Sequence, residues 1–295
     1  MAILTVEKLS KNYGKIKALK EVSFSVPKGS VFGILGPNGS GKTTLLGIIM
    51  NVLRASSGTY QLFDEPATDD HRKKIGTLLE TPNFYHYLSA VQNLQISAAI
   101  KQRGEETIDP VLETVNLAQR KHSAFSTFSL GMKQRLAIGA ALIGDPDVLV
   151  FDEPTNGLDP VGIAEIRSLI KALSKQGKTI IMASHLLDEV EKVCTHVAIL
   201  KQGTLLASGS VNEIFQHDDI VQIAAADNQQ LLSVLSRMQG YKKYTEADGM
   251  IELSYDTGSI KLEDINKFCF ENGVVLSHLQ MKKKSLEDKF FELTN

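Results

Sequence analysis

The feature that most constrains this chain is a glycine-rich loop between an apolar run and a helical pattern. Residues 36–43 read Gly-Pro-Asn-Gly-Ser-Gly-Lys-Thr and directly follow the apolar run 31–35. This is the G-x-x-x-x-G-K-[ST] pattern in the strand-to-helix setting that gives it meaning. Its glycines let successive backbone N–H groups point into one concavity, which suits a phosphate chain. The loop therefore predicts binding of a nucleoside triphosphate.

Two side chains of this loop suit phosphate chemistry directly. Lys42 can place a positive charge on the β- and γ-phosphates, and the Thr43 hydroxyl is a hard oxygen ligand for Mg²⁺. The predicted nucleotide-binding residues of the loop and helix start are Gly36, Pro37, Asn38, Gly39, Ser40, Gly41, Lys42, Thr43 and Thr44.

Composition limits the partners and the compartment. The 295-residue chain has a formal net charge of −2, which argues against nucleic acid as the main partner because backbone phosphates require a basic surplus. Cys194 and Cys269 have neither disulfide-framework nor zinc spacing, so a cytoplasmic location is expected. The N-terminus does not resemble a signal peptide, and no apolar run reaches the ~18 residues of a spanning helix. We expect a protein that does not itself cross a membrane.

Strand and helix patterns alternate over most of the chain. Strand patterns fall at 3–9, 18–26, 31–35, 148–151, 179–183, 197–200 and 204–208. Helical spacing falls at 90–103, 109–117, 132–143 and 161–176. Residues of about 85–144 therefore form a predicted helical subdomain, inserted into an α/β fold whose alternation favours a parallel, doubly wound sheet.

A domain boundary is predicted near residues 217–219. It separates a nucleotide-binding domain, 1–216, from a small α+β accessory domain, 217–295. The patterns of the second domain predict a strand at 220–226, a helix at 228–238, two strands around Asp248-Gly249, a helix at 261–272, a strand at 274–280 and a helix at 285–293. Such a βαββαβ order suits a ferredoxin-like module. Its sequence contains no evident catalytic constellation.

A second chemical feature is the apolar run 148–151, which ends in Asp152-Glu153. Ligands of parallel sheets bind at the carboxyl ends of strands, so both carboxylates are expected beside the phosphate loop. Asp152 can hold Mg²⁺ through water, and Glu153 can polarise an attacking water as a general base. An apolar run that ends in acids is by itself equally compatible with a structural strand. The upstream phosphate loop favours the functional interpretation.

Ser129 precedes the helical pattern that leads to this strand. A serine hydroxyl and the unpaired N–H groups of a helix start can form an anion site. The residues alone favour the simpler interpretation, a plain helix cap.

Five motifs in order resemble the ATP-binding subunits of ATP-binding-cassette (ABC) transporters, over about residues 1–215. The phosphate loop is similar to Walker A, and 148–152 is similar to Walker B, with Glu153 in the place of the catalytic glutamate. Residues 128–132 occupy the signature position, 156–159 resemble the D-loop, and His185 matches the switch histidine.

This resemblance implies a mechanism that spacing alone cannot give. Two such domains, in a homodimer, would pair head to tail, with each ATP between one Walker A and the partner's Ser129 and Gly131. His185 would contact the γ-phosphate. Tyr13 lies where the family stacks an aromatic ring on adenine, which is chemically sensible for a tyrosine.

The chain departs from the family pattern at two places. Glu80 replaces the glutamine that contacts Mg²⁺ and the attacking water, so it either ligates Mg²⁺ directly or faces the partner of that loop. Leu130 and Met132 stand where glycine and glutamine are usual. The signature sequence, and residues 286–293 near the C-terminus, are similar to the branch with bacitracin-, lantibiotic-immunity and gliding-motility-type exporters.

The resemblance implies an ATPase subunit, with ATP and Mg²⁺ as cofactors, on the inner face of the cell membrane. It would drive a separately encoded integral membrane permease, an exporter, that docks beside Glu80 and the helical subdomain. The alternative is a soluble, non-transport ABC ATPase acting on ribosomes or in DNA repair. The single Walker A and the absence of a heptad run between residues 44 and 128 disfavour that alternative.

Overall fold

A six-stranded sheet carries the loops that the motifs single out. The chain is represented by a computed structural model, which describes residues 1–79, 83–214, 219–247, 249–256 and 258–283. It divides into two compact units, Met1–Ile214 and Phe215–Asn295. Among the described residues, no helix combines the length and the apolar character needed to cross a bilayer.

The first unit alternates strands and helices as the patterns predict, with several additional short elements. Its strands are β1 (Ala2–Tyr13), β2 (Ile16–Pro27), β3 (Val31–Leu35), β4 (Ser57–Leu62), β5 (Glu65–Pro66), β6 (Ile75–Leu78), β7 (Val148–Asp152), β8 (Thr179–Ser184), β9 (His196–Lys201) and β10 (Thr204–Ser210). Its helices are α1 (Lys42–Ile49), α2 (Asp69–Lys73), α3 (Ala90–Lys101), α4 (Ile108–Thr114), α5 (Leu130–Leu142), α6 (Pro160–Lys175), α7 (Leu187–Val193) and α8 (Val211–Ile214). Short 3₁₀ turns cover Glu105–Thr107, Ala118–Arg120 and Phe125–Thr127.

The six-stranded sheet has the order β10-β9-β3-β8-β7-β6. Every residue of β3, β7 and β8 is buried, as expected for parallel strands that are covered on both faces. This is why their sequences are continuous apolar runs rather than alternating patterns. Since β3, β8 and β7 are neighbours, the three loops that follow them emerge side by side at one edge of the sheet.

One edge of the six-stranded sheet is antiparallel. Strand β10 pairs with β9 in the antiparallel direction. The two strands are joined by a two-residue turn, where Gln202 and Gly203 have φ values of 47° and 80°. A turn of two residues with positive φ makes a hairpin, and a hairpin can only be antiparallel.

A second, antiparallel sheet with the order β2-β1-β4-β5 packs against the core. Leu4 and Leu9 of β1 share one buried cluster with Ile34 of β3 and Leu46 of α1. The shared cluster fixes α1, and therefore the loop before it, between the two sheets.

The second unit contains β11 (Asp219–Ala225), α9 (Asn228–Leu235), β12 (Lys243–Ala247), β13 (Met250–Tyr255), α10 (Leu262–Glu271) and β14 (Leu276–Lys283). Its four strands are antiparallel, in the order β12-β13-β11-β14. A core cluster of its own includes Val221, Leu231, Tyr255 and Ile265. The helix predicted at 285–293 lies outside the described residues.

In the helical subdomain, Lys101 at the end of α3 forms hydrogen bonds with the backbone at the end of α5. Its Nζ donates to the carbonyl oxygens of Ala140, Ala141 and Ile143 at 2.8, 3.2 and 3.2 Å. These groups include carbonyls of the last helical turn, which have no partner within the helix. Burial, with a smaller contribution from Arg103, lowers the pKa of Lys101 to about 8.

This lysine gives the fold a pH dependence that can be measured. In the folded chain Lys101 loses its proton near pH 8. In the unfolded chain the lysine has its ordinary pKa of 10.5 and stays protonated up to about that pH. In that window the unfolded state binds more protons, so the free energy of unfolding rises with pH. Urea unfolding measures the free energy of unfolding of the wild type and of Lys101→Met. We expect the wild-type value minus the variant value to rise by up to about 2 kcal/mol between pH 7.5 and 9.5. A difference that stays constant with pH would contradict this.

Candidate nucleotide-binding and hydrolysis site

The candidate site is built from three loops at the carboxyl edge of the sheet. The glycine-rich loop follows β3, Glu153 follows β7, and His185 follows β8. The registers Leu35↔Ser184 and Asp152↔Ala183 align the ends of the three strands. Side chains that lie far apart in the sequence are therefore brought into contact.

The glycine-rich loop passes close to its own Ser40 side chain and to the backbone of β9. A Cβ on Gly36 would lie 2.3 Å from the Leu200 oxygen and 2.6 Å from Ser40 Oγ. Gly39 and Gly41 have φ values of 78° and 107°, which favour glycine. The loop can curl tightly only because these positions lack a side chain.

Ser40 marks the concavity inside this loop. It is 1 % exposed, and its Oγ has no hydrogen-bond partner among the described residues. A buried hydroxyl without a partner is costly, so the position calls for a polar ligand. Helix α1 begins at Lys42 after Gly41, which has no side chain to cap the first N–H groups. An orphaned hydroxyl and free amides at one helix start fit a bound phosphate group.

Lys42 is the charged centre of the site. Its side chain is 6 % exposed, and its Nζ lies 3.2 Å from Glu153 Oε1. The same Nζ donates to the carbonyl oxygens of Gly36 at 2.9 Å and Pro37 at 3.4 Å. The buried ammonium is compensated by the loop itself and by one carboxylate.

Glu153 links Lys42 to His185. His185 Nδ1 lies 2.8 Å from Glu153 Oε2, on the oxygen that Lys42 does not contact. Glu153 has a φ of 48°, which is uncommon for a residue with a side chain. Its N–H donates to the carbonyl oxygen of Ala183 at 3.0 Å, which holds this turn against β8. Strained backbone of this kind clusters at functional sites.

The predicted metal ligands are placed in different surroundings. Thr43 is exposed in the first turn of α1, whereas Asp152 is buried at the end of β7. No group of three or more His, Cys, Asp or Glu side chains within the described residues could form a complete metal cage. One hydroxyl and one carboxylate fit Mg²⁺, which takes few protein ligands and completes its shell with phosphates and water. Glu80 lies outside the described residues.

The remaining loop residues and Tyr13 are accessible to a ligand. Pro37, Asn38 and Gly39 are exposed, and Thr44 is half-buried. Tyr13 is 45 % exposed.

Lys11 was not singled out by the motifs, yet its Nζ lies 4.9 Å from the centroid of the Tyr13 ring. The same ammonium donates to the carbonyl oxygen of Arg54 at 2.7 Å. Residues two apart on a strand share a face, so the position of Lys11 in β1 could have indicated that it lies beside Tyr13.

The signature residues face outward rather than into this cluster. Ser129 is exposed and caps α5, where its Oγ accepts from the N–H of Met132 at 3.3 Å. A Cβ on Gly131 would have no described atom within 4 Å. None of the hydrogen bonds between described residues joins Ser129 or Gly131 to the glycine-rich loop.

Known proteins resemble this chain over most of its length. Residues 19–156 match the family described as ABC transporter. The chain is 34% identical over 297 residues to the bacitracin transport ATP-binding protein BcrA of Enterococcus faecalis, covering 99% of this chain and 96% of that protein. It is 36% identical over 221 residues to the lantibiotic transport ATP-binding protein SrtF of Streptococcus pyogenes, covering 73% of this chain and 96% of that protein.

Solved structures share the same architecture. CbiO1 of Clostridium perfringens, part of an ABC transporter complex, superimposes with a TM-score of 0.66 at 30% identity, covering 80% of this chain and 96% of that chain. A dimeric ATP-binding cassette with ADP and Pi gives a TM-score of 0.63 at 26% identity, covering 70% of this chain and 98% of that chain.

Fold and site together define a P-loop ATPase of the ATP-binding-cassette class. The chain belongs to the ABC transporter family, as an ATP-binding subunit that hydrolyses ATP. The predicted fold class, an α/β P-loop core with antiparallel β and helical subdomains and a small α+β unit, is confirmed.

The close approach at Gly36 gives a direct test of the loop geometry. We expect Gly36→Ala to weaken ATP binding by about tenfold or more, because the added Cβ cannot coexist with the Leu200 oxygen. Equilibrium dialysis with ATP measures this. Gly209→Ala, where a Cβ would meet only ordinary contacts at 3.5 Å, is the matched control. Equal affinities for the two variants would show that the loop does not contain the ATP site.

Proposed function

We propose that this subunit works as a pair and drives a separate membrane permease. The observation that carries the catalytic part is the contact chain from Lys42 through Glu153 to His185. In this proposal ATP binds the glycine-rich loop, and its phosphates take the place of Glu153 and the loop carbonyls as partners of Lys42. Glu153, released from the ammonium, then accepts a proton from the attacking water, and His185 contacts the γ-phosphate.

Bound Mg²⁺ would neutralise the negative charge that develops on the phosphate oxygens during hydrolysis. Thr43 and Asp152 are the residues proposed to hold it, with Glu80 as a third oxygen ligand. Tyr13 is proposed to stack on adenine, with Lys11 supporting its ring.

A head-to-tail dimer explains why the signature residues face outward. Ser129 and Gly131 present a hydroxyl and an open helix start to solvent. Within one subunit they contribute nothing to the cluster around Lys42. We propose that they close the ATP site of a second copy, and the dimeric cassette among the structural relatives supports the pairing of two copies.

A groove in the helical subdomain is the proposed docking place for the permease. It has a volume of about 350 Å³ and is lined by Asn83, Phe84, Tyr85, Asn93, Ile96, Ser97 and Ile100. Tyr85, Tyr87 and Ile100 are 53%, 76% and 78% exposed. Exposed large apolar side chains around a groove are typical of interaction sites. The names of two relatives specify transport of bacitracin and of a lantibiotic. For this chain we propose export as the direction, with the subunit on the inner face of the membrane.

The second unit, proposed to be an accessory domain, lies outside the family match at residues 19–156. Its boundary near residue 217 remains our proposal from the sequence.

Removing the proposed general base is the sharpest test of the chemistry. We expect Glu153→Gln to lower turnover by on the order of 10²–10⁴ while ATP still binds, because the amide cannot accept the proton. Phosphate release measures turnover, and size-exclusion chromatography with ATP measures the trapped dimer. Glu191→Gln, an exposed position on α7, is the control. Undiminished hydrolysis by Glu153→Gln would assign the base to another residue.

Gly131 tests the dimer separately from the chemistry. Because no described atom lies near its Cβ position, Gly131→Ala should leave folding and ATP binding by one subunit unchanged. In the Glu153→Gln background, we expect it to weaken ATP-dependent dimerisation by about tenfold or more, since the methyl group occupies space meant for the partner's phosphates. Sedimentation velocity measures this. Dimerisation at the parent level would place the signature away from the interface.

A further inference from the structure

Two helices of the core begin directly after loops of the proposed site. Helix α6 begins after the loop 156–159, where the Oδ1 of Asp159 caps its start by accepting from the N–H of Gly162 at 2.9 Å. Helix α7 begins two residues after His185. The orientation of His185 therefore depends on what fixes the first turn of α7.

That first turn has weak local support. Its N-cap residue is Leu186, whose side chain has no polar atom with which to cap the helix. The N–H of Leu186 donates to Ser184 Oγ at 3.0 Å. A seven-residue helix is too short to be stable by itself, so packing must hold it in place.

The buried side chains of Val190 and Val193 pack α7 against the sheet, and an ion pair from α6 holds its first turn. Arg167 Nη2 lies 2.5 Å from Glu189 Oε1, and the Glu189 side chain is 4% exposed. The same Nη2 lies 3.8 Å from Asp188 Oδ2. A buried carboxylate without its partner is strongly unfavourable, so the first turn of α7 stays against Arg167.

Helix α6, which carries Arg167, is firmly packed. Helix α6 is packed into the core through Ile166, Leu169, Ile170 and Leu173, which are all buried. Arg167 lies about two turns into this helix. The Arg167 side chain of this well-packed helix therefore holds Glu189, which lies four residues beyond His185.

We propose that Arg167 is a positioning residue for ATP hydrolysis: its ion pair with Glu189 keeps His185 within hydrogen-bond reach of Glu153. This inference rests on the proposed roles of Glu153 and His185. Arg167 is not a catalytic residue, because it contacts neither of them. It acts through the start of α7. Misplacement of a catalytic group by about 1 Å can reduce the rate by about 10²-fold, so a purely structural contact can control turnover.

Arg167→Met tests the proposal. We expect kcat to fall by about tenfold or more, with the Kd for ATP changed by less than about twofold. Lys192→Met is the matched control, because Lys192 forms an exposed ion pair with Asp188 on the same helix, at 2.6 Å. It should keep the wild-type kcat. Arg167→Lys keeps the charge and should recover part of the loss, and it replaces Arg167→Met if that variant does not fold.

A double-mutant cycle with His185→Ala separates positioning from general destabilisation. If Arg167 acts through His185, adding Arg167→Met to His185→Ala lowers kcat no further. A further drop equal to that in the wild-type background, or an unchanged kcat in Arg167→Met, overturns the proposal. Wild-type turnover in His185→Ala would instead contradict the proposed function, which distinguishes the two failures.

Discussion

The structure depends on the compensation of one buried ammonium group. Lys42 is 6% exposed on its side chain, and its charge is balanced by two loop carbonyls and by Glu153. An uncompensated charge at this burial would be very unfavourable. The loop must therefore curl around Lys42, and the end of β7 must lie beside it. The strand order β3-β8-β7 provides this geometry, and it brings His185 to the other oxygen of Glu153. Binding of a triphosphate can replace one set of negative partners with another.

The sequence predicted those parts of the fold whose causes are local. The buried strands at 31–35 and 148–152 are continuous apolar runs, and Asp159 followed by Pro160 begins a strongly amphipathic helix. The short elements were missed. Strand β6 has only four residues, one of them glycine, and α7 has seven. Both exist because neighbouring elements hold them, and no window of sequence contains that information.

The site was predictable to the extent that motifs encode it. Lys42 and Glu153 followed from the loop and from the strand that ends in acids, whereas His185 was identified only through resemblance to the family. The contact of Arg167 with Glu189 joins two helices through packing rather than through a motif. Single-sequence reasoning cannot specify such pairs, because charged residues are common on every helix surface.

The exchange of partners by Lys42 is tested most directly by a crystal structure of the wild-type protein with Mg²⁺ and a non-hydrolysable ATP analogue. We predict that Lys42 Nζ leaves Glu153 and lies about 3 Å from oxygens of the β- and γ-phosphates. Thr43 and Asp152 should then face the same magnesium ion. A structure in which the analogue is bound while Lys42 still pairs with Glu153, or in which the nucleotide lies away from the glycine-rich loop, would contradict it.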